Sequence, residues 1–303
     1  MGNVKYMSRF IFAALASVGL TNAAAAQEVP GRDLLDFPLG VLAEARALSS
    51  QMPGGLWNPA AAVLSPSDRG ALGFAGITTP QEQGVRLEMV AAEYRVRPSV
   101  TASLSFADAS VSDIFKTETD PQSLGAGVPY GTSLLSGGLA WRRANLSVGA
   151  AARYRWASLD SEHSGVMSFD GGAILDGEAR VPLRVALSTV LLSPSRHREA
   201  APYLAAADLP IARRDSTFVL RGGYSISHTE GRGGEEYAFA TSSYRVFDAS
   251  AGVSQSTMYG NMDRRVRLGF GLHYAAYTVA IGREDGAAGI GASYQFLFTR
   301  VIR

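Results

Sequence analysis

The side chains with the greatest chemical capacity in this 303-residue chain are arginines that recur two positions apart. Arg153 and Arg155 form one pair, Arg265 and Arg267 another, and Arg221 occupies a similar setting. In an extended strand, residues i and i+2 point to the same face. Each pair therefore places two guanidiniums on one side of a sheet, and His273 falls on the same side as Arg265 and Arg267. Two chemistries fit such a row. Lining an open aqueous path, it favours anions. In a closed interior, each guanidinium instead pairs with a carboxylate, for which Glu88, Glu93, Asp33 and Asp36 are the candidates. Pairing is the stronger expectation.

Little else points to catalysis. The four histidines, His163, His197, His228 and His273, show neither a His-Glu-x-x-His motif nor any other ligand spacing, so no metal site is expected. The absence of cysteine removes thiolate ligands, cysteine nucleophiles and disulfides. No Gly-x-Ser-x-Gly elbow is present. Asp160, Glu162, His163, Asp170, Asp176 and Glu178 cluster in one stretch, and a solvated acidic loop explains them better than a cation site. The expectation is a chain without catalytic residues or cofactor, and not an enzyme.

The elements that must hold these arginines follow from export. Lys5 and Arg9 precede an apolar run from Phe10 to Ala16, and Ala24-Ala25-Ala26 supplies small residues before Gln27. That order predicts a signal peptide over residues 1–26. Removing Lys5 and Arg9 from the 28 basic residues leaves 26 against 27 acidic ones, so there is no basic excess for nucleic acid. Beyond residue 26 no apolar run is long enough for a spanning helix. Charged residues make up only 18%, and 33 glycines accompany abundant serine and alanine. Few charges and many small residues in an exported chain point to a membrane β-barrel.

A period of two supports this reading over most of the length. Leu146, Val148, Ala150, Ala152, Tyr154 and Trp156 alternate with Ser147, Gly149, Ala151, Arg153 and Arg155. Val266, Leu268, Phe270, Leu272 and Tyr274 alternate with Arg265, Arg267, Gly269, Gly271 and His273. A helix would mix these sets on every face. Apolar rows facing lipid and small or charged rows facing a lumen fit a barrel wall, with aromatics at the ends of the rows as interfacial girdles. The fold class is all-β, a transmembrane antiparallel β-barrel of about 14 strands, within 12 to 16. Strands are expected near 71–79, 84–96, 99–108, 130–142, 145–157, 164–174, 179–192, 201–212, 216–228, 235–246, 247–258, 263–274, 275–283 and 286–298. Long outer loops are expected at 109–129, 158–165 and 229–235. The barrel is assigned to 71–303. The ending Tyr294-Gln295-Phe296-Leu297-Phe298 has the aromatic alternation read by barrel-assembly machinery, although five residues follow it.

Residues 27–70 lack the alternation and are assigned to a hatch or plug. Asn58 suits a helix N-cap and Pro59 the first helical position, which predicts a short helix from Pro59 to about Leu64 and a weaker one over 41–48. An irregular segment cannot face hydrocarbon, so it must fill the lumen or cap a mouth. The run Trp57-Asn58-Pro59-Ala60 resembles the N-terminal Asn-Pro-Ala signature of FadL-like long-chain fatty-acid transporters. It resembles equally the PorV/PorQ-type outer-membrane proteins. Tyr94-Arg95-Val96-Arg97-Pro98-Ser99-Val100 and the stretch from Asp113 to Pro121, ending at Gly127-Val128-Pro129-Tyr130, are similar to the latter group, and the likeness covers roughly residues 40–155. The FadL resemblance implies a 14-stranded outer-membrane barrel whose hatch carries Asn58, Pro59 and Ala60, with hydrophobic molecules leaving through a side opening. The PorV/PorQ resemblance implies a partner of a secretion or surface-attachment apparatus. Two functions therefore stand: a transporter or channel for hydrophobic or small solutes, or a non-enzymatic scaffold. The expected partners are outer-membrane lipids and the assembly machinery, together with hydrophobic small molecules or secretion-system proteins.

Overall fold

A computed structural model describes residues 29–35, 45–65, 69–80, 84–112, 127–160, 162–177, 182–194, 199, 201–215, 217–229, 232–257, 262–285 and 291–303, apart from the side chain of Asp33. The expected signal peptide, Asp36, His197, Glu178 and the stretch 113–121 lie outside these residues.

Fourteen antiparallel strands close into a barrel, each paired with its sequence neighbours and the first with the last. They are β1 (Gly70–Thr78), β2 (Val85–Arg97), β3 (Val100–Val111), β4 (Tyr130–Arg143), β5 (Leu146–Leu159), β6 (Glu162–Asp176) and β7 (Arg184–Leu192). The second half comprises β8 (Pro202–Arg214), β9 (Phe218–Thr229), β10 (Gly233–Tyr244), β11 (Phe247–Ser256), β12 (Asp263–Tyr274), β13 (Tyr277–Glu284) and β14 (Ser293–Ile302). No described helix is long and apolar enough to cross a membrane.

Three expectations are corrected. β5 and β6 run to Leu159 and from Glu162, so the loop predicted at 158–165 is a tight turn at Asp160, which adopts φ 54°. The stretch predicted as a loop at 229–235 shrinks to three residues between Thr229 and Gly233. The last strand starts at Ser293 rather than near 286, and it continues through Thr299-Arg300-Val301-Ile302 because Gly70 to Gly73 of β1 supply its partners. The charged and β-branched residues past the aromatic alternation are thus the segment that closes the barrel.

The faces follow the alternation. Val266, Leu268, Phe270, Leu272 and Tyr274 are exposed, whereas Arg265, Arg267, Gly269 and His273 turn inward. Leu139 is 61% exposed and Ile281 60%, on strands whose inward neighbours include Ala140 and Ala280 at 2% each. A water-soluble sandwich would bury its large apolar side chains, so this inversion places hydrocarbon against the outer wall. The end bearing both ends of the wall also carries the two-residue turns at Ala144, Arg245 and Ala275, all with positive φ, a conformation suited to tight hairpins. Short turns mark the periplasmic side of such barrels and longer loops the outer side. Trp141, Tyr244, Tyr274 and Tyr277 lie outward near the periplasmic end, and Phe106, Tyr154, Trp156 and Tyr294 near the other.

Phe298 sits at the middle of the outward row of β14, between Tyr294 and Ile302. Phe298→Arg is expected to destabilise the inserted state by about 2–4 kcal/mol, the penalty for a cation at the bilayer midplane. The folded fraction in lipid, read as the heat-modifiable band on gels across a urea series, should fall accordingly. An unchanged midpoint would place Phe298 off the lipid face.

Candidate functional site

The site is the junction between the N-terminal segment and the inner wall. It begins with backbone that cannot sit in lipid. Residues 29–35 and 45–65 lie inside the barrel, with a short helix α1 at Arg32–Leu35 and 3-10 turns at Arg46–Leu48 and Pro59–Leu64. The short helix expected from Pro59 to Leu64 is present as a 3-10 helix. Of the 41–48 helix, Arg46–Leu48 form a 3-10 turn, Ala45 is extended, and 41–44 lie outside the described residues. Three consecutive alanines with a proline at the start offer small side chains that let the backbone approach the wall closely.

Asn58 is the joint of this segment. It is 1% exposed. Its Oδ1 accepts from Ala60 N–H at 3.0 Å and its Nδ2 donates to the Ala47 carbonyl at 2.8 Å. One side chain thus caps the Pro59 turn and ties it to the Arg46 turn. The cap lies against two glycines that are cross-strand partners, Gly149 of β5 and Gly172 of β6. A Cβ on Gly172 would overlap Asn58 Oδ1, and one on Gly149 would overlap the Pro59–Ala60 peptide. Trp57 is anchored next to this notch by its carbonyl, which accepts from Ser188 Oγ of β7 at 2.7 Å.

The two halves of the lumen differ. From β13 through β4 the inward rows carry Ile77, Leu87, Met89, Ala107, Leu134 and Leu297, interspersed with polar residues such as Glu93, Thr101, Ser105 and Gln295. The apolar ones form one buried cluster with Leu34, Leu48, Leu56 and Trp57 of the segment, which also takes in Ile174, Leu204, Tyr237 and Phe239. From β5 to β12 the inward surface carries most of the charged groups. All five arginines of interest and His273 point inward, and each has an anionic partner. Arg153 meets Asp170 at 3.1 Å. Arg221 and Arg184 grip the fully buried carboxylate of Asp208, each with a closest approach of 2.8 Å. Arg265 contacts Asp263 at 2.6 Å and Glu284 at 3.0 Å. Arg267 reaches Glu284 at 2.6 Å and Glu235 at 2.8 Å, and lies 4.7 Å above the Tyr237 ring. His273 bonds Asp248 and, at 2.8 Å, Thr278 Oγ1.

Arg155 binds more than a single counter-ion. Its guanidinium donates to Glu199 at 2.9 and 3.2 Å, to the Pro30 carbonyl at 2.5 Å and to the Val29 carbonyl at 2.8 Å. Glu199 also lies 3.5 Å from Arg32 of α1. Glu199 belongs to the outer connection between β7 and β8, so wall, segment and outer loop meet at this carboxylate, which is 1% exposed.

Among the counter-ions expected from sequence, Asp36 and the side chain of Asp33 lie outside the described residues. Glu88 lies on the outer wall beside Arg86, since it falls on the outward row of β2. Glu93 is inward and buried, but the five arginines use Asp170, Glu199, Asp208, Glu235, Asp263 and Glu284. Asp170 was assigned to a solvated acidic loop. It is 4% exposed in β6, on the row of Ser168 and Gly172, and that row was the signal available for it. Trp57 Nε1 and Arg153 Nη2 lack a protein acceptor and border one cavity of about 10 Å³. That is room for a single water, which would satisfy both.

Comparison with known proteins bears on the fold. No family profile matches this sequence, and no curated protein matches it. Solved structures do match in shape. A CymD monoaromatic hydrocarbon channel aligns with TM-score 0.56 and 11% identity over 87% of this chain and 96% of its own. A Pseudomonas aeruginosa FadL homologue aligns with TM-score 0.51 and 13% identity over 84% and 94%. The P. putida toluene transporter TodX aligns with TM-score 0.51 and 8% identity over 81% and 93%. The chain therefore has a FadL-like outer-membrane barrel fold.

Two variants test the junction. Gly172→Leu should expel Asn58 from its notch while leaving the wall closed. Collisional quenching of Trp57 fluorescence, in protein with Trp141 and Trp156 replaced by Phe, should rise severalfold, with the heat-modifiable band retained. Quenching equal to that of the parent would show that the notch does not hold the segment. Glu199→Ala leaves the Arg155 guanidinium buried without its carboxylate, a change that costs about 3–5 kcal/mol. Proteolysis within residues 29–65 should then accelerate, and an unaltered cleavage rate would show that Glu199 does not retain the segment.

Proposed function

We propose that this chain is an outer-membrane transporter of small hydrophobic solutes, in which residues 29–65 form a hatch that is displaced during passage. The observation that carries this reading is the apolar half of the lumen. Ile77, Leu87, Met89 and Leu134 are inward on β1, β2 and β4 and pack with the segment in one buried cluster. A water-filled porin lumen is polar. An interior with this much apolar surface favours solutes that leave water readily, at roughly 25 cal/mol per Å² of apolar surface transferred. The solved structures of similar fold include a monoaromatic hydrocarbon channel and a toluene transporter, so monoaromatic hydrocarbons are the first solutes to test.

The hatch is suited to movement because no covalent link holds it: the chain has no cysteine. It is retained by a shape fit at Gly149 and Gly172, by Asn58 and Ser188, and by the Arg155–Glu199 cluster. The arginines serve this closed state by pairing rather than by lining an anion path. The scaffold alternative gains no comparable support.

A reversible lock tests the proposal. A Cβ on Gly54 would lie 3.4 Å from that of Ser105 on β3, close to the usual disulfide spacing of about 3.8 Å. Gly54 has φ +95°, so a side chain there carries strain of roughly 1–3 kcal/mol. In cells lacking the native gene, the parent protein should restore uptake of radiolabelled toluene. Gly54→Cys with Ser105→Cys should abolish it when oxidised and recover it on reduction. Uptake independent of the disulfide would exclude the hatch as gate, and uptake independent of the gene would exclude the transport reading. In planar bilayers the parent should show no steady conductance. A standing anion-selective current would mean that the arginines line an open pore.

A further inference from the structure

The outer wall carries a second feature that transport does not use. On several strands the outward rows change from apolar to charged at one level. Val90 is followed by Glu88, Phe106 by Asp108, Ala238 by Glu236, Val266 by Arg264 and Ile281 by Arg283. Because charge on the lipid face is tolerated only towards the interface, this step marks the outer edge of the hydrocarbon. Across β3 to β6, just beyond that edge, the outer wall is hollowed into a groove of about 820 Å³, within the range of small-molecule sites.

The groove faces outward. Its lining includes Tyr154, Trp156 and His163, whose side chains point away from the lumen, but not the inward Arg155 and Val166 of the same strands. Register explains the hollow. Asp108, Ser133, Trp156 and Gly165 are successive cross-strand partners, and Gly131 lies in the next row with Ser158 and His163. Gly131 thus forms part of the floor, and the Tyr154 ring leans over Gly165. Phe106, Trp156 and Tyr154 make an aromatic shelf at the hydrocarbon side, with ring centroids 6.1 and 5.6 Å apart in sequence. Asp108 accepts from Ser133 Oγ at 2.6 Å. Among the described residues its carboxylate has no cationic partner, and Ser158 and His163 make no side-chain hydrogen bond.

We propose that this groove binds the saccharide head of an outer-leaflet glycolipid. A pyranose has an apolar C–H face, which stacks on an aromatic ring, and an edge of hydroxyls, which donate to a carboxylate and exchange hydrogen bonds with serine and histidine. The groove offers both in one place. Among the described residues that line it there is neither Arg nor Lys, and the Asp108 carboxylate disfavours an anionic phospholipid head. The shelf lies at the hydrocarbon edge, so acyl chains attached to the bound sugar descend along Phe106, Leu135 and Met167, all exposed on the outer wall. That continuity selects a membrane glycolipid over a free sugar.

The test uses the full-length mature protein in phosphatidylcholine nanodiscs containing either an uncharged monoglucosyl diacylglycerol or phosphatidylglycerol, with retained lipid counted by native mass spectrometry. The parent protein should retain the glycolipid through washing, and Asp108→Ala with Ser133→Ala should lower retention about tenfold, as expected for loss of hydrogen bonds to a charged group worth roughly 1.4 kcal/mol or more. Glu236→Gln, in the charged ring on β10, should leave retention unchanged and controls for general effects on the rim. Equal retention by parent and double variant would overturn the proposal. So would phosphatidylglycerol retained as well as the glycolipid, which would indicate ordinary boundary lipid. Equal binding of free glucose, read from Trp156 fluorescence against a Trp156→Phe control, would point to a free sugar and overturn the glycolipid assignment.

Discussion

Everything in this molecule follows from the need to pair backbone N–H and C=O groups where no water can reach them. An open sheet edge in hydrocarbon would leave a row of such groups unsatisfied. Closure of β1 on β14 removes the edge, and it fixes which residues can face lipid. Once the ring is closed, the period of two has no freedom left. One-residue slippage would turn Arg265 and Arg267 to hydrocarbon and Leu268 to the lumen. The same closure explains the polar tail of β14. Arg300 and Ile302 are needed as ladder partners for Leu72 and Gly70, although the aromatic alternation ends at Phe298.

The interior then meets a second constraint. A guanidinium inside the wall is removed from water, and leaving it unpaired would be far costlier than the pair is stabilising. The observed arrangement meets this with paired or shared carboxylates: Asp208 between two arginines, Glu284 between Arg265 and Arg267, and Glu199 between Arg155 and Arg32. Such clusters contribute little net stability compared with a hydrophobic core. Their effect is positional. They define one orientation for long charged side chains inside the wall, and at Glu199 they extend that definition to the N-terminal segment.

The barrel was legible in the sequence because its signal is repeated on every strand, so errors of a few residues at each end do not change the count or the faces. The inward direction of the arginines followed from the same rule. Their partners did not. Register across strands, rather than spacing along one, brings Arg184 opposite Asp208, and no single strand contains that information. Glu199 was further from reach, since it comes from a connection that folds into the lumen. The Asn-Pro-Ala run marked the segment that sits inside, but not what receives it. Gly149 and Gly172 read as two unremarkable small residues on separate strands until the pairing of β5 with β6 makes them one notch. Asp170 shows the opposite failure. Proximity in sequence to Asp160 and Glu162 suggested a solvated cluster, whereas the alternation of β6 buries it and leaves Glu162 exposed.

A lumen filled by its own chain must still let solute through if transport is its task, and the division of the interior indicates how both can hold. The contacts of the segment with β5 to β9 are directional: a shape fit on two glycines, the hydrogen bonds of Ser188 and Ser227, and the Arg155–Glu199 cluster. Its contacts with β1 to β4 are mostly apolar, joined by one hydrogen bond from Arg95 of β2 to the Ser65 carbonyl at the end of the segment. Apolar contacts tolerate sliding and exchange of partner, because their energy depends on area and not on angle. Directional ones are lost with small displacements. A hydrophobic solute entering between the segment and β1 to β4 would replace one apolar surface by another, at little net change in buried area, while the directional contacts on the far side stayed intact. The segment need not leave the barrel for a path to open. It need only part from the side where apolar contacts predominate.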